Sequence, residues 1–498
     1  MRLIPGGRAM KLVEDYSIKE CGVPSLVLQE RAALAVRDEA LRYLRPGMRA
    51  AVVCGVGNNG ADGLAAARLL TQAGYEPDVI IMGDTEKRTP EFAVQMNIIT
   101  NMGVRCSFVS ELGMEPEDYD LVIDALFGIG LSRDLTGSYA ELVDQINAMD
   151  AVRIAVDIPS GIDAETGAVM GKAVRCDATV TFTYEKLGTA LWPGAEYAGR
   201  VVVKDVGHLE CDLDGRRAYT YGKDDLDRLP IRPARSHKGT FGKVLVIAGS
   251  AGMCGAAHFA AKAAYRTGAG LVYILTPEQN RGVLQTLIPE AIVIGYHPDR
   301  FDEEKLAELV RKMDAVVMGP GMGRADYVKQ LVGAALKSAR CPVVIDADGL
   351  NAVADEPALL EYFGNRVIVT PHVGEMATLT SRAAADVMKT MPDSAISYAR
   401  ATGAVCVLKD ARTIVSNGTD EFYINMSGDN GMATGGSGDA LSGIIGALLA
   451  AGMTRMSASV MGVYIHGLAG EAASAKLGTR AVMAGDIIEG LAEVLKEY

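Results

Sequence analysis

Asn430-Gly431-Met432-Ala433-Thr434-Gly435-Gly436-Ser437-Gly438-Asp439-Ala440-Leu441 leads straight into an apolar stretch with helical patterning over 440–451. The glycines place bare N–H groups at the positive end of that helix, an arrangement that stabilises a migrating phosphoryl group. Asp439 falls in the first helical turn, where a carboxylate can accept the proton of an attacking hydroxyl while the loop receives the phosphate charge. An acidic residue there also offsets the helix dipole without any catalytic role. Four glycines among the nine residues 430–438 leave that account incomplete.

Around this loop, short β-branched runs alternate with Ala- and Leu-rich helical stretches along the whole chain, which is the sequence form of parallel βαβ units. In the C-terminal half, strands are expected at 244–247, 316–318, 343–345, 367–369, 405–408 and 422–424, with final helices at 440–451 and 457–476. In the N-terminal half, a helix-rich stretch over 10–43 precedes strands at 50–54, 79–82, 121–124, 154–157 and 180–183. These are mostly continuous apolar runs, suited to strands buried on both faces. Both patterns lapse over 212–235, which is charged and holds Pro230 and Pro233, so this stretch reads as a linker between domains at 1–211 and 236–498. The expected class is α/β, as two three-layer domains.

The 498 residues agree with that division at ~150 residues per domain. With 22% charged and 49% hydrophobic residues, disorder is excluded for the bulk of the chain. Glycine is the outlier: 56 residues exceed the background of ~7%, with no collagen period to explain them. A net charge of −13 without Lys/Arg clusters argues against a nucleic-acid or acidic-membrane partner. The eight cysteines are scattered, with no Cys-x-x-Cys pair, and read as thiols in a reducing cytosol. The start, Met1-Arg2-Leu3-Ile4-Pro5-Gly6-Gly7, breaks too early for a signal peptide. The longest uncharged run, 440–453, is shorter than the ~20 residues of a membrane span, so a soluble cytoplasmic protein is expected.

A second glycine loop, Cys54-Gly55-Val56-Gly57-Asn58-Asn59-Gly60-Ala61-Asp62-Gly63, follows a strand and opens a helix expected over 64–70. Such a turn can cradle an anion or can simply be a tight βα connection. Asp124 and Asp157 each end an expected parallel strand and lead into further glycine loops, Phe127-Gly128-Ile129-Gly130 and Pro159-Ser160-Gly161. Ligands of open α/β sheets bind at that edge. Helix N-capping is the alternative role for both.

Taken in order, Gly-Asn-Asn-Gly-x-Asp-Gly, Asp-Ala-Leu-Phe-Gly and Asp-Ile-Pro-Ser-Gly resemble the NAD(P)H-hydrate epimerases over about residues 10–206. The resemblance implies a Rossmann-like domain with K+ held by Asn59, Asp124 and Ser160. It also implies substrate along Asn58, Asn59, Gly60, Ala61 and Asp62, and along Gly128, Ile129, Gly130, Leu131, Ser132, Arg133 and Asp134, with Asp157 in contact and serving as acid/base group. Hydrated NAD(P)H carries a hydroxyl at C6 beside the ring nitrogen, so reversible cleavage there and re-addition from the other face invert that carbon, and one proton-exchanging carboxylate suffices. Ala61 and Ile129 stand where the family usually has Gly and Thr.

The C-terminal half resembles the ribokinase-like superfamily, and within it the nucleotide-dependent NAD(P)H-hydrate dehydratases over about 236–495. The motifs are Ser-His-Lys-Gly-Thr-Phe-Gly-Lys at 236–243, Gly-Pro-Gly-Met-Gly at 319–323, Asp-Ala-Asp-Gly-Leu-Asn at 346–351, Thr-Pro-His-Val-Gly-Glu at 370–375 and Lys-Asp-Ala-Arg-Thr at 409–413, closed by the loop at 430–441. The resemblance implies hydrate contacts at Ala256, Gly323, His372 and Asp439, with Asp439 catalytic. It implies nucleotide contacts at Lys409, Asp410, Ala411, Arg412, Thr413 and Gly438. Mg2+ accompanying ADP is expected to be organised through waters by Asp346 and Asp348, since that ion is usually held by few carboxylates plus phosphates. Val373 replaces the usual Pro and Asp410 the usual Gly. His372 can equally be a core or capping histidine, and Lys409 a surface ion-pair partner.

The implied reaction phosphorylates the C6 hydroxyl of the S hydrate, and the ring nitrogen then expels phosphate to restore NAD(P)H. ADP, giving AMP and phosphate, is the expected donor. The expected partners are NADHX, NADPHX and ADP, with no nucleic acid and no membrane, in a homo-oligomer for which a tetramer is one form. Two rivals remain open: a ribokinase-like small-molecule kinase, and a non-enzymatic epimerase-like scaffold.

Overall fold

The computed structural model describes residues 1–109, 119–212 and 217–498. Two compact units are present, Leu3–Ala218 and Tyr219–Tyr498, the second also taking Met1–Arg2. Residues 213–216 of the stretch read as a linker lie outside the described residues.

In the Leu3–Ala218 unit, seven parallel strands run in the order Cys106–Phe108, Asp78–Ile81, Ala50–Cys54, Leu121–Ala125, Val152–Val156, Ala178–Phe182, Arg200–Lys204. Every residue of Ala50–Cys54, Leu121–Ala125 and Ala178–Phe182 is buried, Asp124, Thr179 and Thr181 among the apolar side chains, as strands covered on both faces require. Each such Val, Ile or Leu contributes about 1.5–3 kcal/mol. From Ala50–Cys54 the chain winds outward one way, then returns to place Leu121–Ala125 on the other side, which makes this pair the switch point of the sheet. The helix of the glycine loop spans Asn58–Gln72, six residues earlier than its apolar pattern indicates. Gly63 lets it start there: a Cβ would lie 2.5 Å from Ala125 Cβ and 2.8 Å from Cys54 Sγ. The helix-rich N-terminal stretch resolves into Gly7–Asp15, a π turn at Tyr16–Glu20, and Ser25–Ala40.

In the other unit the sheet runs Glu421–Ile424, Ile414–Ser416, Val405–Leu408, Val367–Val369, Val343–Ile345, Ala315–Met318, Lys243–Ile247, Leu271–Pro277, Ile292–Tyr296. The pairings from Val405–Leu408 to Ile292–Tyr296 are parallel, and those of the 414–424 end antiparallel. The helices Cys254–Thr267 and Ser437–Ala450 pack closely because both faces are built of Ala and Gly, with Gly443 against the Ala260 carbonyl. The charged stretch before residue 236 is more ordered than its composition suggests, with a strand at Arg217–Thr220 and a 3-10 turn at Lys223–Arg228. Its apolar residues explain this: the Tyr219 and Tyr221 rings meet Tyr423 at 5.5 and 5.4 Å, and Leu226 is buried in the core. Strands at Cys106–Phe108, Arg200–Lys204, Leu271–Pro277, Ile292–Tyr296 and Ile414–Ser416 are additions to those expected. Among the described residues no helix is long and apolar enough to cross a membrane.

Candidate active sites

At the switch point of the Leu3–Ala218 unit a cavity of about 480 Å³ opens over the C-terminal edge of the sheet. Its wall is formed by Gly55–Asn59 and Asp62, by Leu126–Leu131, and by Asp157, Phe182 and Lys186. Met10, Lys11, Glu14, Gln29, Glu91 and His208 are among the other residues that line it. Of the residues implied for substrate, Asn58, Asn59, Asp62, Gly128, Ile129, Gly130, Leu131 and Asp157 line this cavity. Gly60 and Ala61 are buried within the helix, where Gly60 abuts the Gly55 carbonyl, and Ser132, Arg133 and Asp134 are exposed and not part of the wall.

Asp124 is fully buried below the loops. Its Oδ1 accepts from Ser160 Oγ at 2.5 Å and from the Leu126 amide at 3.3 Å, and its Oδ2 from the Ser160 amide at 2.8 Å. Burial pushes this carboxyl up to about 6, against the opposing effect of those donors. Ser160 Oγ also lies 2.9 Å from the Phe127 amide and 3.2 Å from its carbonyl oxygen. Asn59 stands beside Gly128, its Oδ1 3.1 Å from where a Cβ would be, and its buried Nδ2 has no hydrogen-bond partner among the described residues. The donors gathered here are carboxylate, hydroxyl, carbonyl and carboxamide oxygens, with one formal charge. That set fits a hard monovalent cation, and neither Asp124 nor Asp157 caps a helix.

Asp157 follows Val152–Val156 at φ +68°, in the left-handed region that Asp tolerates better than most residues. Its Oδ1 accepts from Thr181 Oγ1 at 3.2 Å, from the Phe182 amide at 3.1 Å and from Lys186 Nζ. Lys186 is fully buried, and the loss of hydration pushes its ammonium down against the pull of Asp157. Sequence reasoning missed Lys186 and Glu14. A lysine just past a strand reads as a surface residue, and Glu14 reaches the cavity from a helix far away in the chain.

In the second unit, Gly436 at φ +93° precedes the helix Ser437–Ala450. Asp439 lies in its first turn, where burial, reinforced by Asp346 and opposed by Lys409, pushes its carboxyl up to about 6. Lys409 follows Val405–Leu408 and gives Asp346 Oδ1 a 2.8 Å ion pair, while Asp346 also accepts from the Ala347 amide at 2.9 Å. A Cβ on Gly438 would sit 3.2 Å from Lys409 Nζ, so the glycine loop, the lysine and the buried aspartate meet at one point. Asp348 accepts from the Gly323 amide at 2.8 Å and from Asn351 Nδ2 at 3.3 Å. A Cβ on Gly321 would come 2.9 Å from Ala256 Cβ, which sets the loop after Ala315–Met318 against the start of the helix Cys254–Thr267.

His372 caps the helix Val373–Thr380: its Nδ1 accepts from the Gly374 amide at 2.9 Å, and its own amide donates to Glu375 Oε2 at 2.8 Å. It is held beside Lys409 by a parallel bridge between their backbones. Asp410 and Ala411 are exposed, Arg412 is half-buried, and Thr413 is buried with its Oγ1 3.2 Å from the Asp410 carbonyl. His466, unforeseen, meets Ser437 Oγ at 3.3 Å across the helix start, and burial pushes its ring down to about 4.

Comparison with known proteins adds independent findings. Residues 244–493 match a family model described as NAD(P)H-hydrate dehydratase, and residues 25–188 one described as YjeF-related protein N-terminus. The chain is similar to a bifunctional NAD(P)H-hydrate repair enzyme of Moorella thermoacetica, 36% identical over 507 residues that cover 98% of this chain and 95% of that protein. A protein so described from Thermofilum pendens is 35% identical over 501 residues, with the same coverages of 98% and 95%. Among solved structures, a ribokinase-like superfamily protein of Enterococcus faecalis V583 is 27% identical with a TM-score of 0.51, covering 58% of this chain and 99% of that one.

Proposed function

The chain belongs to the family of bifunctional NAD(P)H-hydrate repair enzymes, and from that premise we propose how its two sites divide the work. The enzyme epimerises the R and S hydrates of NADH and NADPH and dehydrates the S form at the expense of a nucleotide. We assign epimerisation to the cavity around Asp157 and dehydration to the cluster of Asp439, Lys409 and Gly438, with ADP as the nucleotide. A reducing cytosol, consistent with eight free cysteines, is the compartment we assign. The observation that carries the reading is the presence on one chain of two separate loop clusters, each at the C-terminal edge of its own parallel sheet.

In the second unit, Asp439 takes the proton of the C6 hydroxyl as that oxygen attacks the terminal phosphorus, and the bond from phosphorus to the nucleotide's bridging oxygen breaks. A carboxyl near 6 is ionised at neutral pH yet basic enough to serve. Amides of the 436–438 turn receive the phosphoryl charge at the helix start, and Lys409, fixed by Asp346, adds a cation beside them. The ring nitrogen then expels phosphate from C6, and loss of a C5 proton gives NAD(P)H. Mg2+, carried in with the nucleotide, would neutralise phosphate charge, and Asp346, whose Oδ2 lies 3.9 Å from where a Cβ on Gly438 would be, and Asp348 would face its water shell.

In the first unit, Asp157 exchanges a proton with the C6 hydroxyl while the ring nitrogen assists cleavage. Asn59, Asp124 and Ser160, with the Phe127 carbonyl, would hold K+, which supplies positive charge beneath the substrate loops. Mixed R and S hydrates, ADP or ATP and Mg2+, followed by the return of dihydronicotinamide absorbance, test the assignment. Asp157→Ala should leave the R form to spontaneous epimerisation, and Asp439→Asn should stop consumption of both. A stable phosphorylated product would instead favour a small-molecule kinase.

A further inference from the structure

The cavity of the first unit holds more ionisable groups than one proton-exchanging carboxylate needs. The cavity is lined by Asp157 with Lys186 from the segment after Ala178–Phe182, Lys11 and Glu14 from Gly7–Asp15, Asp62 from Asn58–Gln72, Tyr139, His208, and Glu91, whose Oε1 accepts from Ser25 Oγ at 2.7 Å, and Glu185 is next to Lys186 in the chain. Their hydrogen bonds are unequal. All three protons of Lys186 Nζ are committed, to Asp157 Oδ1, to Thr181 Oγ1 at 2.9 Å and to the Phe182 carbonyl at 2.9 Å. Lys186 therefore has none left for a substrate. Asp157 Oδ1 in turn accepts three donors, whereas Asp157 Oδ2 has no protein partner among the described residues. Three donors on one oxygen, one of them cationic, fix the carboxylate's orientation and leave Oδ2 as the oxygen with open lone pairs.

A carboxylate so held is a proton acceptor, which leaves the hydroxyl of the hydrate in need of a donor as its bond to C6 breaks. Glu14 is the candidate. It lines the same cavity, makes no hydrogen bond or ion pair among the described residues, and is half-buried. Burial and the charge of Asp157 both raise its carboxyl above the ordinary range. Asp62 is raised too, by burial first and then by the charge of Asp157, with Gln29 opposing the shift.

Resting on the assignment of epimerisation to this cavity, we infer that Lys186 is a positioning residue that holds Asp157 as the proton acceptor through Oδ2, and that Glu14 is the proton donor. For the R hydrate, the C6–O bond breaks as the Glu14 carboxyl gives its proton to the departing oxygen, so that water leaves and the ring nitrogen holds a double bond to C6. Water then adds to the opposite face, and its proton passes to Asp157. The net transfer, one proton from Glu14 to Asp157, is reset through solvent or by the reverse reaction.

The test uses the full chain, with S-hydrate dehydration by the other unit as an internal measure of folded protein. Glu14→Gln is expected to slow R-hydrate consumption by about 100-fold or more and to remove the alkaline limb of its pH profile. Unchanged R consumption would overturn the donor. Lys186→Met removes the cation beside Asp157 and is expected to move the acid limb of kcat/KM to higher pH, so that the loss is greater below the limb than on the plateau. A lower rate with the acid limb in place would reduce Lys186 to a structural residue and overturn the inference. Thr181→Val removes one donor from Asp157 Oδ1 with little change of shape and should move the limb the same way by less. Should Lys186→Met fail to accumulate, an unmoved limb in Thr181→Val is the refuting result. If the unmodified chain consumes R hydrate no faster than spontaneous epimerisation allows, the assignment of the cavity itself fails, whatever the variants do.

Discussion

Asp124 allows a quantitative test of the oxygen cage. Its carboxyl is raised from an ordinary 3.8 to about 6 by complete burial, and among the described residues no basic side chain is hydrogen-bonded to it. At about 1.36 kcal/mol per unit, ionised Asp124 costs the folded unit about 3 kcal/mol. The folded state binds this proton more tightly than the unfolded chain. The group therefore imposes no cost below about pH 4, an increasing one between about pH 4 and 6, and a constant one above. A cation bound only by the folded, ionised form offsets that cost and competes with the proton, so its apparent affinity should be about tenfold weaker at about pH 5 than at about pH 8. The assay is thermal unfolding of the full chain across a K+ titration at both pH values, with ionic strength held by tetramethylammonium chloride. Saturating K+ should raise the transition of this unit by about 6–12 °C at the higher pH. Asp124→Asn should abolish the response. Equal K+ dependence at the two pH values, or a transition without K+ that rises between about pH 4 and 6, would refute the reasoning.

Asp439→Asn should reduce S-hydrate dehydration by a factor of about 100 to 10,000 while R–S interconversion persists, as read by chromatography of the two epimers. In the unmodified chain the acid limb of dehydration should fall near pH 6, where the Asp439 carboxyl ionises. Lys409→Met strips a 1% exposed Asp346 of its cation, so a loss of about 3–5 kcal/mol in urea denaturation is expected. Because Lys409 also draws Asp439 down, the surviving activity should show its acid limb at higher pH. Gly63→Ala brings a methyl within 2.5 Å of Ala125 Cβ, and an overpacking cost of about 1–3 kcal/mol should lower the urea midpoint without removing any cavity residue.

The parts of the site legible in the sequence are those where backbone chemistry is local. A strand that ends in Gly-x-Gly, or an aspartate at a strand end, announces a loop at the sheet edge, and Asn58, Asp124, Asp157 and Asp439 all stand at such edges. The apolar pattern misplaced the start of the helix Asn58–Gln72 because it begins at Leu64, whereas the helix begins where Gly60 and Gly63 let it touch the strands. The strands Leu271–Pro277 and Ile292–Tyr296 carry half-buried and exposed residues and so lack the unbroken apolar signal of the central ones. Lys186 and Glu14 left no signal, since their positions are set by long-range packing: one by three hydrogen bonds at the end of a strand, the other by a helix some 140 residues before Asp157 in the numbering. His372 is an intermediate case, because its capping bonds are local and its place beside Lys409 is not.

The φ of +68° at Asp157 carries a consequence for how such chains lose their chemistry over time. A left-handed backbone costs most side chains about 1–2 kcal/mol, while Gly, Asn and Asp are spared much of it. Selection for the fold alone would then favour Gly or Asn here, and would disfavour Glu even though it keeps the charge. A descendant in which this residue has relaxed to Gly, with an apolar residue in place of Lys186 to spare an unpaired buried cation, would be a folded chain that has abandoned the reaction. Read as a pair, the two positions offer a way to separate working epimerases from silent copies of the same fold.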